Sequence, residues 1–180
     1  MNHDGQQWNR KCFDVVYNWT PRFSATEGLN DYPHTHSNLK ENRTMAQFQF
    51  EVKAKENSVS GGVPLITGIT LSKGEILTVS VSPDDKWSAG AANRESNANG
   101  LSNPFGGDFG FFVHNNFSFL YGSLVGSLDD GKTFFAIGTR LEMTILCPTG
   151  RLLLYYWDIN KDDNTGSVIA TVARYKGPTI

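Results

Sequence analysis

The chain has 180 residues, a net charge of -2, 39% apolar residues and two cysteines. That is enough for one ordinary domain with a real core. It carries no basic excess of the kind nucleic acid or an anionic membrane would select, and no apolar run approaches bilayer-spanning length. Cys12 and Cys147 stand far apart, which permits one disulfide but builds no framework, and no paired Cys/His spacing suggests structural zinc.

Residues 1–45 stand apart from the rest. They hold Trp8, Phe13, Tyr17, Trp19 and Phe23, then a polar run through Pro33, His34 and His36. The aromatics suggest a segment that docks on something, followed by a linker. The first eleven residues are polar and lack the apolar core of a Sec signal, so the expectation is a cytoplasmic protein or one released without such a signal.

From residue 46 onward the pattern is β. Residues 47–54 alternate apolar and polar, as a half-buried strand does. Residues 57–62 make a turn. Residues 63–71 make a second strand interrupted by Pro64 and Gly68, and 75–81 a third. Ser82-Pro83-Asp84-Asp85 is a turn. Residues 88–107, rich in Ala, Asn, Gly and Ser, show no period and read as a long loop, the sort that tends to carry function. Strands resume at 109–113, 121–127, 133–137, 140–146, 151–157 and 167–174. Asp129-Asp130-Gly131 and Pro148-Thr149-Gly150 are turn signals between them. No helical period persists for ten residues. The expectation is an all-β fold, a jelly-roll or galactose-binding-like β-sandwich of about eight antiparallel strands, spanning 46–180.

One segment has a chemistry of its own. Between two predicted strands, Asp158, Asn160, Asp162, Asp163 and Asn164 place three carboxylates and two carboxamides in seven residues. Hard cations such as Ca²⁺ take six to eight oxygen ligands, and this loop supplies them. It is not an EF-hand loop: the sixth position is Asp163 rather than Gly, the twelfth is Ile169 rather than Glu, and no helices flank it. The competing explanation is a solvated turn that happens to be acidic. The loop around Trp87, with its carboxamides and small residues, suits sugar hydroxyls and a sugar C–H face, but taken alone it is better explained as a surface loop with Trp87 as a core plug. There is no nucleophile elbow and no phosphate loop. Glu142 and Asp108 would pair as glycosidase acids only by coincidence. The reading is therefore a non-enzymatic one.

Residues from about 47 to 173 resemble the PA-IL-like (PA-I galactophilic) bacterial lectin family. Phe50-Glu51-Val52 and Lys73-Gly74-Glu75-Ile76-Leu77-Thr78-Val79 look like its opening strands. Gly122-Ser123-Leu124-Val125-Gly126-Ser127 looks like its middle strand. Tyr155 to Asp158 with Asp163-Asn164-Thr165-Gly166-Ser167 looks like its calcium loop. The resemblance implies a jelly roll with one Ca²⁺, whose coordination shell is completed by two vicinal hydroxyls of a galactoside. By position it implies metal ligation by Asp158, Asp163 and Asn164, by a carbonyl from Asn160, Lys161 or Asp162, and by one from the loop after Trp87, placed at Gly90. It implies sugar contacts from Asp158, Ile159 and Asp163, with Ser96, Asn97 and Asn99 at the sugar's outer edge. Galactose-containing glycans are the implied partners. Multivalency favours a homo-oligomer, and no nucleic acid or membrane insertion is expected. The alternative function is a non-catalytic, calcium-stabilised adaptor module with another glycan or a protein as its partner.

Overall fold

A computed structural model describes residues 46–90, 94–101, 110–146 and 150–176. The 1–45 extension with its aromatics and histidines, Cys12, Cys147, Asp108, Phe109, the Pro148-Thr149 turn and all of 102–107 fall outside them. The described residues form strands and turns and contain no helix.

Two antiparallel sheets face each other. The first runs β1 (Ala46–Lys53), β12 (Thr165–Lys176), β3 (Glu75–Val81), β10 (Arg140–Thr144). The start of β12 also pairs with the two-residue strand β4 (Trp87–Ser88), which pairs in turn with β5 (Glu95–Ser96). The second sheet runs β2 (Leu65–Leu71), β11 (Gly150–Trp157), β8 (Ser123–Ser127), β9 (Phe135–Ala136). Alternation decides what each strand buries, because successive side chains point to opposite faces. Val52, Leu77, Val79, Val81, Val168, Ala170 and Val172 from the first sheet meet Ile69, Leu71, Leu124, Leu152, Leu154 and Tyr156 from the second in one core. This is the expected all-β sandwich.

β11 is unusual in burying both faces. Leu152, Leu154 and Tyr156 enter the inter-sheet core, while Leu153, Tyr155 and Trp157 belong to a second cluster with Val125 and Phe134. That outer cluster is roofed by a hairpin, β6 (Phe111–His114) and β7 (Phe117–Leu120), whose Phe112, Phe117 and Phe119 pack down on it. The Trp157 indole N–H donates to the Phe112 carbonyl at 2.8 Å. β7 does not figure among the strands predicted from the sequence. Its loop is Asn115-Asn116, both at positive φ (49° and 67°), the twist that two-residue hairpins require.

The predicted 88–107 loop is also partly structured. β4 and β5 close a short hairpin within it, and Asn99 bridges to Ser123. Predicted strand starts at 63 and 121 move to Leu65 and Ser123, and the end at 146 moves to Thr144.

The connection from β11 to β12 crosses from one sheet to the other at one end of the sandwich. It is the Asp158–Asn164 stretch. The loop after β4 arrives at the same end, because β4 pairs with the first residues of β12. The fold thus brings the two loops singled out in the sequence side by side.

Candidate functional site

The last core residue of β11, Trp157, is fully buried, and Asp158 follows it still 3% exposed. A carboxylate is thereby drawn out of water at the rim of the apolar core. Burial pushes the Asp158 carboxyl up from its usual range. The Ile159 and Asn160 amides and the Asn164 side chain pull the other way, and the Asp163 carboxylate adds to the rise. Loss of hydration and a like charge nearby both penalise the ionised form.

The turn beyond Asp158 is held by its own polar groups. Asn160 Oδ1 accepts the Asp162 N–H at 3.1 Å, and the Asn164 N–H donates to the Lys161 carbonyl at 3.2 Å. Lys55 Nζ donates to the Asp162 carbonyl at 3.2 Å, so that carbonyl is engaged on the strand-β1 side. Asn164 turns back inward and is 2% exposed. Its Nδ2 donates to the Ala54 carbonyl at 3.4 Å, while its Oδ1 is buried without a hydrogen-bond partner among the described residues. An orphaned buried carboxamide oxygen costs free energy unless something else pairs with it.

Gly90 faces Asp163 from the neighbouring loop. A Cβ on Gly90 would lie 2.2 Å from Asp163 Oδ2, and its φ of 99° is one that L side chains rarely adopt. Glycine here lets the backbone approach the carboxylate. A cleft of about 230 Å³ opens between the two loops, lined by Ala89, Arg94, Tyr121, Asp158, Ile159, Asn160 and Asp163. Ligand pockets for drug-sized molecules hold roughly 300–1,000 Å³; this cleft suits something closer to a single ring.

The other predicted contacts have different surroundings. Ser96 is buried, and its Oγ has no partner among the described residues. It packs against Gly122, where a Cβ would lie 2.5 Å from that oxygen and 3.5 Å from the Tyr156 hydroxyl. The Tyr156 hydroxyl is likewise unpartnered, and burial together with Asp158 and Asp163 pushes its pKa far up. Asn97 Nδ2 donates to the Pro83 carbonyl and its Oδ1 accepts the Asn99 N–H. Asn99 Oδ1 accepts from the Thr139 N–H at 2.8 Å and its hydroxyl at 3.2 Å. These two carboxamides tie loops together, and neither they nor Ser96 line the cleft. The structure therefore gathers Asp158, Ile159, Asn160 and Asp163 in the cleft with Gly90 and Asn164 behind them, and disperses Ser96, Asn97 and Asn99.

Sequence reasoning missed Ala89, Arg94 and Tyr121. A signal for Arg94 was present: it is the one Lys or Arg between Lys86 and Lys132. Tyr121 gave none, since it reads as the start of a strand. Among the described residues no three His, Cys, Asp or Glu side chains converge as a metal-binding group. The set at this site is instead two carboxylates, one buried carboxamide oxygen and backbone carbonyls, all hard oxygen donors of the type an alkaline-earth cation takes.

No protein-family model matches the chain, and no curated protein matches it. Among solved structures it is similar to one described as EclA N-terminal domain, a PllA-like lectin, at 22% identity, over 71% of this chain and 94% of that one, with a TM-score of 0.49. At that level the likeness carries no functional argument, which rests on the loop cluster itself.

Proposed function

We propose that this chain is a calcium-dependent carbohydrate-binding module without catalytic activity, and that its ligand is a galactoside. The observation that carries the reading is the convergence of Asp158 and Asp163 on one cleft, with the Asn164 side chain hydrogen-bonded to Asp158, its buried Oδ1 unpaired among the described residues, and Gly90 pressed against Asp163. The residues present fit a Ca²⁺ ion: Asp158, Asp163 and Asn164 would hold it by side chain, and the Gly90 loop and the 160–162 turn by carbonyl. Such an ion would supply open coordination positions for two vicinal hydroxyls, and a cis diol can close its bite on the ion with less ring strain than a trans diol.

The chain's own contribution is to hold the oxygens in place before any ligand arrives. Burial of Asp158 at the end of β11, with hydrogen bonds from the Ile159 and Asn160 amides and the Asn164 side chain, fixes one carboxylate. Gly90 leaves the Asp163 carboxylate room to approach the backbone. Ile159, exposed at the cleft, offers an apolar contact for the C–H face of a sugar. Single-site sugar affinities are weak, so an oligomer that presents several sites to a multivalent glycan would gain by effective concentration.

The test is passage over a galactose-bearing matrix. The expected result is retention in Ca²⁺ and release by EDTA, with Asp158→Ala passing straight through. Retention that persists in EDTA would contradict a bridging ion, and no retention in either buffer would contradict a galactoside ligand.

A further inference from the structure

One wall of the cleft carries a positive charge that a neutral sugar does not need. The Ala89 N–H donates to the Arg94 carbonyl at 3.1 Å, which closes the mouth of the β4–β5 hairpin and fixes where Arg94 emerges. Gly90, the next residue, is the one pressed on Asp163. Arg94 thus rises from the same loop that backs the acidic pair, and it lines the cleft with Tyr121. The Tyr121 phenol feels both sides: burial and the Asp158 charge raise its pKa, and the Arg94 guanidinium lowers it. Tyr121, Arg94 and Asp158 line the same cleft, so the phenol is within electrostatic reach of both the carboxylate and the guanidinium. Its ring is seated on Phe112 of the roofing hairpin, centroids 5.5 Å apart, so this wall is built on packed aromatic residues.

We propose that Arg94 and Tyr121 recognise a carboxylate on the ligand, so that the preferred sugar is a hexuronate whose acid group lies beside the diol. This rests on the calcium-and-diol reading above. Without a cation, Asp158, Asp162 and Asp163 would repel an anionic sugar. A divalent ion cancels the charge of two of them, and the guanidinium then faces the ligand with a fork of N–H donors that matches a carboxylate. Five donors allow Arg94 to keep a protein contact and still bind a ligand. Galacturonate keeps the cis diol of galactose and places its acid at the ring's outer edge, where galactose has its primary hydroxyl. The competing role for Arg94 is an internal counter-charge to the loop acids, which would leave acid and neutral sugars equally bound.

The test is a calorimetric comparison of galacturonate, its neutral methyl ester and galactose on the full chain with saturating Ca²⁺. The expected result is galacturonate bound about tenfold more tightly than either neutral sugar, the scale of one charge-assisted hydrogen bond. That ratio should fall to about one in Arg94→Gln. In the unaltered protein it should shrink as salt rises from low to about 0.5 M, because exposed charges are screened; this arm needs no variant that folds. Equal affinities in the unaltered protein, or a ratio that survives in Arg94→Gln, would overturn the proposal while leaving the galactoside reading intact. Heat from none of the three sugars would instead overturn that reading, and this inference with it.

Discussion

Asp158 carries opposite consequences for function and for the stability of the ion-free protein. Its folded-state pKa is raised, chiefly by burial. For such a group the favourable contribution to folding is present below the unfolded pKa and is lost as pH rises through the folded one. At neutral pH in EDTA the ionised side chain therefore works against the fold. Asp158→Asn keeps the shape and removes the charge. We expect it to melt higher than the unaltered protein in EDTA at pH 7, with the gap closing as pH falls through the raised Asp158 pKa, while Ca²⁺ binding is lost. A variant that melts lower at pH 7 would show that the charge is already compensated within the chain. The acidic side of the cleft was legible in the sequence because hard-cation ligands are recognisable by type and density, and they fell in one short loop. Its other side was not. Ser96, Asn97 and Asn99 have sugar-binding chemistry, yet Ser96 lies behind Gly122, and the two carboxamides are engaged by Pro83, Thr139 and each other. Only the three-dimensional course of the loop decides which way a carboxamide points.

At the level of elements, alternation located the longer strands, because period-two burial leaves its mark wherever one face is wet. Where both faces are covered the strand itself was located, at 151–157 against Gly150–Trp157, but not what covers it. β11 reads as a continuous apolar run, so the need for a second roof over Leu153, Tyr155 and Trp157 was not visible. The roof, β6–β7, was half missed because Asn-Asn is a weaker turn signal than Asn-Gly. The two-residue strands β4 and β5 exist through pairing with β12 and with each other, and local sequence holds no record of such pairing. The hairpin turn gives a direct check on this account. Asn116 sits at φ 67°, where a β-branched residue is strained by about 1–3 kcal/mol. Asn116→Val should lower the melting temperature by about 2–12 °C, given roughly 2–4 °C per kcal/mol for a chain of this size, whereas Asn116→Gly should be close to neutral. Equal melting of the two variants would mean that the turn is not held in this conformation.

Across the whole molecule, the site joins the two sheets. The Asp158–Asn164 stretch links β11 of one sheet to β12 of the other, and Asn164 also holds the Ala54 carbonyl just after β1. An ion bound there cross-links elements far apart in sequence and should stabilise the fold as a unit. By mass action, Ca²⁺ at about 100 times its dissociation constant contributes about 2.7 kcal/mol, a rise in melting temperature of about 5–11 °C, absent in Asp158→Ala. Scanning calorimetry with and without EDTA reads it directly. A flat response would remove the ion from the account. The most direct test of the central claim is calorimetric titration of galactose into the full chain, with glucose and mannose as controls, first in Ca²⁺ and then in excess EDTA. Galactose heat in Ca²⁺ should exceed both controls and vanish in EDTA. Galactose heat that survives EDTA would contradict the claim, as would a protein that Ca²⁺ stabilises but to which no sugar binds.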